Sequence, residues 1–328
     1  MWLGKRVINV IIFLSLAASP ALAQRPLFYL GFDQILDNRE YYTEYGYPQT
    51  IFGARINAGV SFNFDSAHQI HTGINYMYEY GGDLFGVTPQ IDLYYSYRTE
   101  HIDLFVGSFP RRERLDYPLM LLTDSLNYYR PNMEGASIRY SWAWGTVHAW
   151  VDWMGRETEE IRESILAGGD ATLKSGIFYL NAVTTRAHLA HTTSTNDTAD
   201  IRNDGSLMLM GGVDLSERVQ LDVIDISSGW VSNFMFTSTD PMNWKHGWLT
   251  KIDLRKDIFG IRGSWYMGGA SRLIFGDRLY SHGDYGRLDL YIDPFKNPRI
   301  SSKIGWSFHY LPGDGLYHSQ QLLISVRL

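Results

Sequence analysis

Apolar and polar residues alternate along most of the chain, in segments of about ten residues, the length that a tilted strand needs to cross a bilayer. In residues 300–310, Trp306 and Phe308 share one face of an extended chain, while Lys303 and Ser307 share the other. Two further clear examples are residues 52–64 and 321–328. Helical periodicity is nearly absent, so the pattern predicts an all-β fold.

Sixteen segments are predicted as strands, at 27–36, 51–64, 68–80, 89–98, 101–110, 135–145, 146–155, 165–175, 177–190, 207–216, 219–231, 247–255, 261–271, 285–293, 299–311 and 319–328. Every second connection is tight, and most of the intervening ones are longer. Tight turns at one end and long loops at the other are typical of outer-membrane barrels, in which the short turns are periplasmic. The prediction is a closed transmembrane antiparallel β-barrel of about 16 strands (about 14 to 18), with both termini periplasmic.

A barrel is required because lipid offers no hydrogen bonds to an open strand edge. The outward face must be apolar, and the inward face can be polar where it lines water. Charged residues alternate with apolar neighbours along many of the predicted strands, which indicates a water-filled lumen. Candidate residues of the lumen wall are Arg139, Lys251, Arg262 and Arg287.

The first 23 residues have the pattern of a secretory signal peptide. Lys5 and Arg6 precede an apolar run that is too short to span a membrane as a helix, and residues 21–23 form an A-x-A cleavage site. The mature chain is therefore expected to be residues 24–328, a single barrel in the outer membrane.

Composition excludes several kinds of protein. The chain has no cysteine, which excludes disulfides and thiolate metal sites. Removing Lys5 and Arg6 from the 29 basic residues leaves 27 against 35 acidic ones, a net charge of −8, so nucleic acid is not an expected partner. Tyr and Trp are abundant, as in the aromatic girdles of membrane barrels.

The predicted signal peptide, the sixteen alternating segments and a long third loop together resemble the porin-like barrels of Gram-negative outer membranes. The resemblance implies a passive channel for small hydrophilic solutes, surrounded by outer-membrane lipid and inserted by the barrel-assembly machinery. It is also compatible with a homotrimer. Such barrels usually end in Phe, whereas this chain ends in Leu328.

In general porins, the loop after the fifth strand folds into the barrel and narrows it. The matching segment here is 111–134, which would be the constriction loop by similarity. Its charged opening supplies the candidate constriction residues, whose arginines could attract anionic solutes. These residues are Arg111, Arg112, Glu113, Arg114 and Asp116.

An outer-membrane hydrolase acting on lipid or peptide is the alternative from a different class. It would need a His near Ser or Asp, and His148 with Asp152, or His282 with Asp284, has that chemistry. No serine motif accompanies either pair. The sequence therefore predicts no enzyme, no catalytic residue, no cofactor and no metal site, and a non-conducting adhesin or structural barrel is a third class.

Overall fold

The computed structural model describes residues 26–112, 114–194, 200–295, 297 and 299–328. In these residues, sixteen antiparallel strands close into one barrel, in which each strand pairs with its neighbours in sequence and β1 pairs with β16. The strands are β1 (Leu27–Glu40), β2 (Gln49–Asn63), β3 (His68–Glu79), β4 (Gln90–Arg98), β5 (Ile102–Pro110), β6 (Asn132–Trp142), β7 (Gly145–Gly155), β8 (Ser164–Ser175), β9 (Phe178–Leu189), β10 (Arg202–Asp214), β11 (Val223–Thr237), β12 (Asn243–Lys256), β13 (Phe259–Gly268), β14 (Tyr285–Ile292), β15 (Ile300–Leu311) and β16 (Gly315–Arg327).

The closed barrel and the number of strands confirm the prediction from the sequence. The two ends of the barrel differ as expected. One end carries the tight turns together with the start of β1 and the end of β16, and the other end carries most of the longer loops. We call these the short-turn end and the long-loop end. The predicted signal peptide, residues 1–23, lies outside the described residues. No described helix is long and apolar enough to cross a membrane.

The outer face of the barrel is apolar, as a surface in contact with lipid requires. Exposed side chains on it are large and hydrophobic, among them Ile138, Tyr140, Trp153, Leu180, Leu209, Trp248 and Trp306. In water such a surface would be an aggregation hazard, whereas in a bilayer it costs nothing to expose. The strand pattern therefore determines which residues of each strand point inward.

Two long connections fold into the lumen: residues 111–131, called the β5–β6 loop, and residues 269–284, called the β13–β14 loop. Their backbones are joined, because Thr123 N donates to Phe275 O and Asp277 N donates to Leu119 O, both at 2.8 Å. The β5–β6 loop carries a short helix, α1 (Asp124–Tyr129). The predicted constriction segment, 111–134, thus enters the barrel, although its last three residues belong to β6.

These two loops form an apolar core with the inner wall. Met120 and Leu121 of the first loop and Leu279 and Tyr280 of the second are almost fully buried. They belong to one cluster with inward wall residues from most of the circumference, including Phe105, Trp150, Met208, Val231, Leu249 and Tyr266. The lumen is therefore filled by side chains toward the long-loop end, where the sequence predicted water.

Candidate active site

A serine, a histidine and an aspartate are connected by hydrogen bonds on the inner wall of the barrel. Ser137 lies on β6, His148 on β7 and Asp170 on β8. Ser137 Oγ is 2.8 Å from His148 Nε2, and His148 Nδ1 is 3.0 Å from Asp170 Oδ1. With Asp170 ionised, Nδ1 carries the proton that it donates to the carboxylate, and Nε2 accepts from the serine hydroxyl.

Strand register explains why these three side chains meet. His148 is directly opposite Asp170 on β8 and Arg139 on β6. Ser137 is two residues from Arg139, so it points to the same side of the sheet as His148. Three adjacent strands of a closed sheet hold the three groups, and such a support keeps their geometry more constant than loops would.

The β5–β6 loop covers this site. The Tyr117 hydroxyl donates to Asp170 Oδ1 at 3.1 Å and accepts a hydrogen bond from Trp150 Nε1 at 2.8 Å. Burial, with a smaller contribution from the charge of Asp170, raises the pKa of the Tyr117 phenol well above its usual range, so it remains a donor. Ser137 and His148 are each 2 % exposed. The site is closed while the loop occupies the lumen.

The arrangement has the chemistry of nucleophilic acyl transfer. A serine hydroxyl is a weak nucleophile until a neighbouring base takes its proton, and the base needs a third group that sets its orientation and tautomer. Ser137, His148 and Asp170 fill these three roles by distance and position. The arrangement therefore supplies the nucleophile, base and orienting carboxylate that cleavage of an ester or amide bond requires.

Two other histidines on the inner wall of the described residues contact serines, and neither histidine ring contacts a carboxylate there. Ser61 Oγ is 2.6 Å from His71 Nδ1, and the other ring nitrogen of His71 is 3.2 Å from Gln69 Oε1. His309 contacts Ser319 Oγ at 3.1 Å and the Tyr285 hydroxyl at 2.6 Å. Only the pair at Ser137 is extended by an aspartate in the described part of the chain.

The predicted constriction residues separate into different environments. Arg111 is 1 % exposed, and its Nη2 is 2.5 Å from Asp152 Oδ2 on β7. Arg112 lines a polar cavity of about 360 Å³ near the short-turn end. The Arg114 guanidinium lies 3.7 Å from the centre of the Phe105 ring. Asp116 is exposed.

Glu113, also predicted for the constriction, lies outside the described residues. The described constriction residues do not form a ring of charges around an opening. Arg111 anchors the β5–β6 loop to the wall, because it also donates to Arg130 O and Asn132 O, both at 3.1 Å.

The four predicted wall residues all face the lumen. Arg139 donates to Arg114 O at 3.0 Å, and Lys251 is partly buried. Arg262 pairs with Asp253 and Arg287 with Asp289, each at 2.7 Å. Three of the four therefore hold neighbouring groups of the wall or of the β5–β6 loop.

The histidine pairs considered in the sequence have other partners. His148 bonds to Asp170, while Asp152 is occupied by Arg111. His282 Nδ1 contacts the backbone oxygen of Asp284 at 2.8 Å, not its carboxylate. In the described residues, no group of three or more His, Asp or Glu side chains could hold a metal ion.

The fold and the inward polar residues define an outer-membrane barrel with a candidate catalytic triad in its wall. A profile of the family described as lipid A 3'-O-deacylase-type matches residues 27–298, and the chain belongs to that family. This range contains Ser137, His148 and Asp170. Among curated proteins, no sequence matches the chain.

Solved structures with a similar fold are outer-membrane proteins. OmpT of Vibrio cholerae has a TM-score of 0.57 at 10 % identity, over 92 % of this chain and 97 % of that one. An anion-selective porin from Comamonas acidovorans has a TM-score of 0.54 at 8 % identity, over 93 % of this chain and all of that one. At such identities the likeness establishes the fold alone, and it supports a porin-like outer-membrane barrel.

The family assignment corrects one prediction. The sequence analysis predicts that the protein is not an enzyme, and this prediction is wrong because the family is one of deacylases. The physical reason for the error is that the serine and the aspartate lie 11 residues before and 22 residues after His148, on neighbouring strands rather than in a local motif.

Proposed function

We propose that the protein is an outer-membrane hydrolase that removes an ester-linked acyl chain from a lipid, with lipid A as the substrate class that the family suggests. The observation that carries this proposal is the continuous hydrogen-bonded series Ser137–His148–Asp170. It supplies a nucleophile, a base and an orienting carboxylate on rigid strands.

The reaction follows from these contacts. Ser137 Oγ attacks the ester carbonyl carbon while His148 Nε2 takes the hydroxyl proton. The bond from the carbonyl carbon to the alcohol oxygen then breaks, and His148 returns the proton to that oxygen. Water then attacks the carbonyl carbon of the acyl-serine while His148 takes its proton. The bond to Ser137 Oγ breaks, His148 returns the proton to Oγ, and a fatty acid is released. Asp170 stabilises the protonated imidazole in both steps.

Substrate access requires the β5–β6 loop to move, because Tyr117 covers Asp170 and Ser137 is buried. Loops that close an active site exclude water from the reaction and open for exchange of substrate and product. The hydrogen bonds from Tyr117 to Asp170 and from Trp150 to Tyr117 are polar contacts that such a movement would break.

The test is to incubate the folded protein in detergent micelles with lipid A and to measure the loss of an acyl chain by mass spectrometry. Ser137→Ala should lower the rate by roughly 10³-fold or more, and Asp170→Asn should lower it with the serine intact. The matched control is Ser61→Ala, which removes a serine bonded to a histidine that contacts no carboxylate in the described residues. Full activity in Ser137→Ala would exclude this site.

The passive channel predicted from the sequence is a second candidate. It is supported by the polar cavity of about 360 Å³ near the short-turn end, which is lined by Arg55, Arg112 and Arg327 together with Asp33 and Asp92. The apolar core occupies the lumen toward the other end, so conduction would require both lumenal loops to move. Export before insertion rests on the predicted signal peptide of residues 1–23.

A further inference from the structure

We propose that a cavity at the long-loop rim binds a phosphate group, supplied either by an anionic lipid headgroup or by free phosphate. The cavity lies between β11, β12 and the β13–β14 loop, has a volume of about 270 Å³, and lies on strands other than those that carry Ser137, His148 and Asp170. The proposal goes beyond the hydrolase function and does not depend on it.

The lining of the cavity is cationic. Lys245 on β12 and Arg272 on the β13–β14 loop contribute two positive charges, and the lining has no carboxylate among the described residues. Neither cation forms an ion pair in the described part of the chain. Both side chains are exposed, so they can approach a ligand without first leaving a partner. Lysine and arginine are the usual partners of phosphate oxygens.

Asn233 on β11 is the second observation that points to a ligand. Its side chain lines the cavity and the residue is 4 % exposed, yet neither Nδ2 nor Oδ1 has a hydrogen-bond partner among the described residues. An unpaired buried amide destabilises a fold, so native structures rarely keep one. A phosphate oxygen would accept from Nδ2, and a protonated phosphate oxygen would donate to Oδ1.

Two serines near Asn233 are also buried and lack a hydrogen-bond partner among the described residues. Ser206, directly opposite Asn233 on β10, is 1 % exposed, and its hydroxyl has no partner in the part of the chain that the structure describes. Ser271, which precedes Arg272, is 2 % exposed, and the same is true of its hydroxyl. Unpartnered polar groups are thus concentrated around the cavity, and Asn233 is the one of the three that lines it, beside Lys245 and Arg272.

The height of the cavity on the barrel fits a lipid phosphate. Phe234 and Trp244, the sequence neighbours of Asn233 and Lys245, point to the outer face and contact each other with ring centres 5.1 Å apart. Aromatic side chains at the end of a barrel strand mark the boundary between lipid tails and headgroups. Phosphate groups of a lipid leaflet lie at that level, and a headgroup would enter the cavity over the long-loop rim, because Asn233 and Lys245 point to the inner face.

The experiment measures binding of two probes to the full chain. Inorganic phosphate is titrated by calorimetry into the protein in detergent micelles. In a second arm, protein in nanodiscs containing phosphatidic acid is compared with protein in nanodiscs containing only phosphatidylcholine, by counting retained lipids after detergent extraction. Binding in the first arm identifies free phosphate as sufficient, and binding in the second arm alone identifies the lipid headgroup. Both outcomes support the site.

The double variant Lys245→Gln/Arg272→Gln should weaken binding by at least about tenfold, because both charge-assisted contacts are lost. Asn233→Asp, which keeps the side-chain shape, should also weaken it by placing a negative charge at the cavity. The matched control is Arg255→Gln/Lys256→Gln, which removes the same charges from the other end of β12. Folding of each variant is checked by its heat-dependent mobility on a gel. Binding that the double variant leaves unchanged, or that neither probe shows, would overturn the proposal.

Discussion

Arg111 shows how the role of a residue depends on its burial. In the sequence it opens a charged loop and was predicted to face permeating ions. In the structure it is almost fully buried, and its guanidinium bonds to Asp152, Arg130 and Asn132. A charge that is enclosed in this way is expensive to leave unpaired, so the contacts hold the start of the β5–β6 loop against β7. No sequence pattern distinguishes such an arginine from a solvated one.

Removing the partner of Arg111 should be strongly destabilising. Asp152→Asn leaves a buried guanidinium without its carboxylate, and we expect the free energy of unfolding to fall by about 3–5 kcal/mol. Tryptophan fluorescence during urea unfolding in micelles measures the change. Asp116→Asn is the control because Asp116 is exposed. The double variant Arg111→Met/Asp152→Asn should regain part of the loss, and equal stability of Asp152→Asn and Asp116→Asn would contradict the assignment.

At the scale of the element, the strands were predictable because a half-buried strand has a period of two residues. The position of the turn between β6 and β7 was predicted two residues too late: the sequence suggested Gly145 and Thr146, whereas Ala143 and Trp144 form the turn. Gly145 instead begins β7, where a Cβ would overlap the Trp142 indole.

Because the turn was misplaced in the prediction, the sequence did not reveal the candidate site. The predicted turn would pair His148 with Ala143, whereas the observed register pairs it with Arg139 and places Ser137 within reach. Asp170 follows a longer connection and a register irregularity near Trp153, so its position opposite His148 could not be inferred from the period alone. The sequence predicted whether a strand residue points inward, but it did not predict which residue lies opposite on the neighbouring strand.

The contact between the two lumenal loops depends on a glycine. A Cβ at Gly276 would overlap the carbonyl oxygen of Met120, so Gly276→Ala should separate the β13–β14 loop from the β5–β6 loop. Hydrogen exchange followed by mass spectrometry should then be faster at the Thr123 and Asp277 amides, which donate between the loops. Gly211→Ala is the control, because its Cβ would meet only ordinary contact. Unchanged exchange in Gly276→Ala would show that the contact tolerates the added carbon.

At the scale of the whole molecule, the number of strands and the filling of the lumen are determined by different parts of the chain. Sixteen strands set a width that leaves an aqueous channel when only wall side chains fill it. Here Met120, Leu121, Leu279 and Tyr280 enter from loops and join the apolar wall residues. Alternation predicts the barrel because every strand obeys it. Loops have no such period, so the filling of the lumen depends on long-range packing that the sequence does not display.

Removing the two loops that fill the lumen should convert the barrel into a wide channel. In this variant, residues 114–129 and 271–282 are each replaced by a short Gly/Ser linker, which deletes the side chains that fill the lumen but retains all sixteen strands. We expect its stepwise conductance in planar bilayers to exceed that of the full chain by roughly tenfold or more, because the barrel width then sets the opening. The control shortens the loop of residues 80–89, which is largely exposed. If the full chain already conducts as strongly as the deletion variant, the loops do not close the lumen and the passive channel becomes the better supported function.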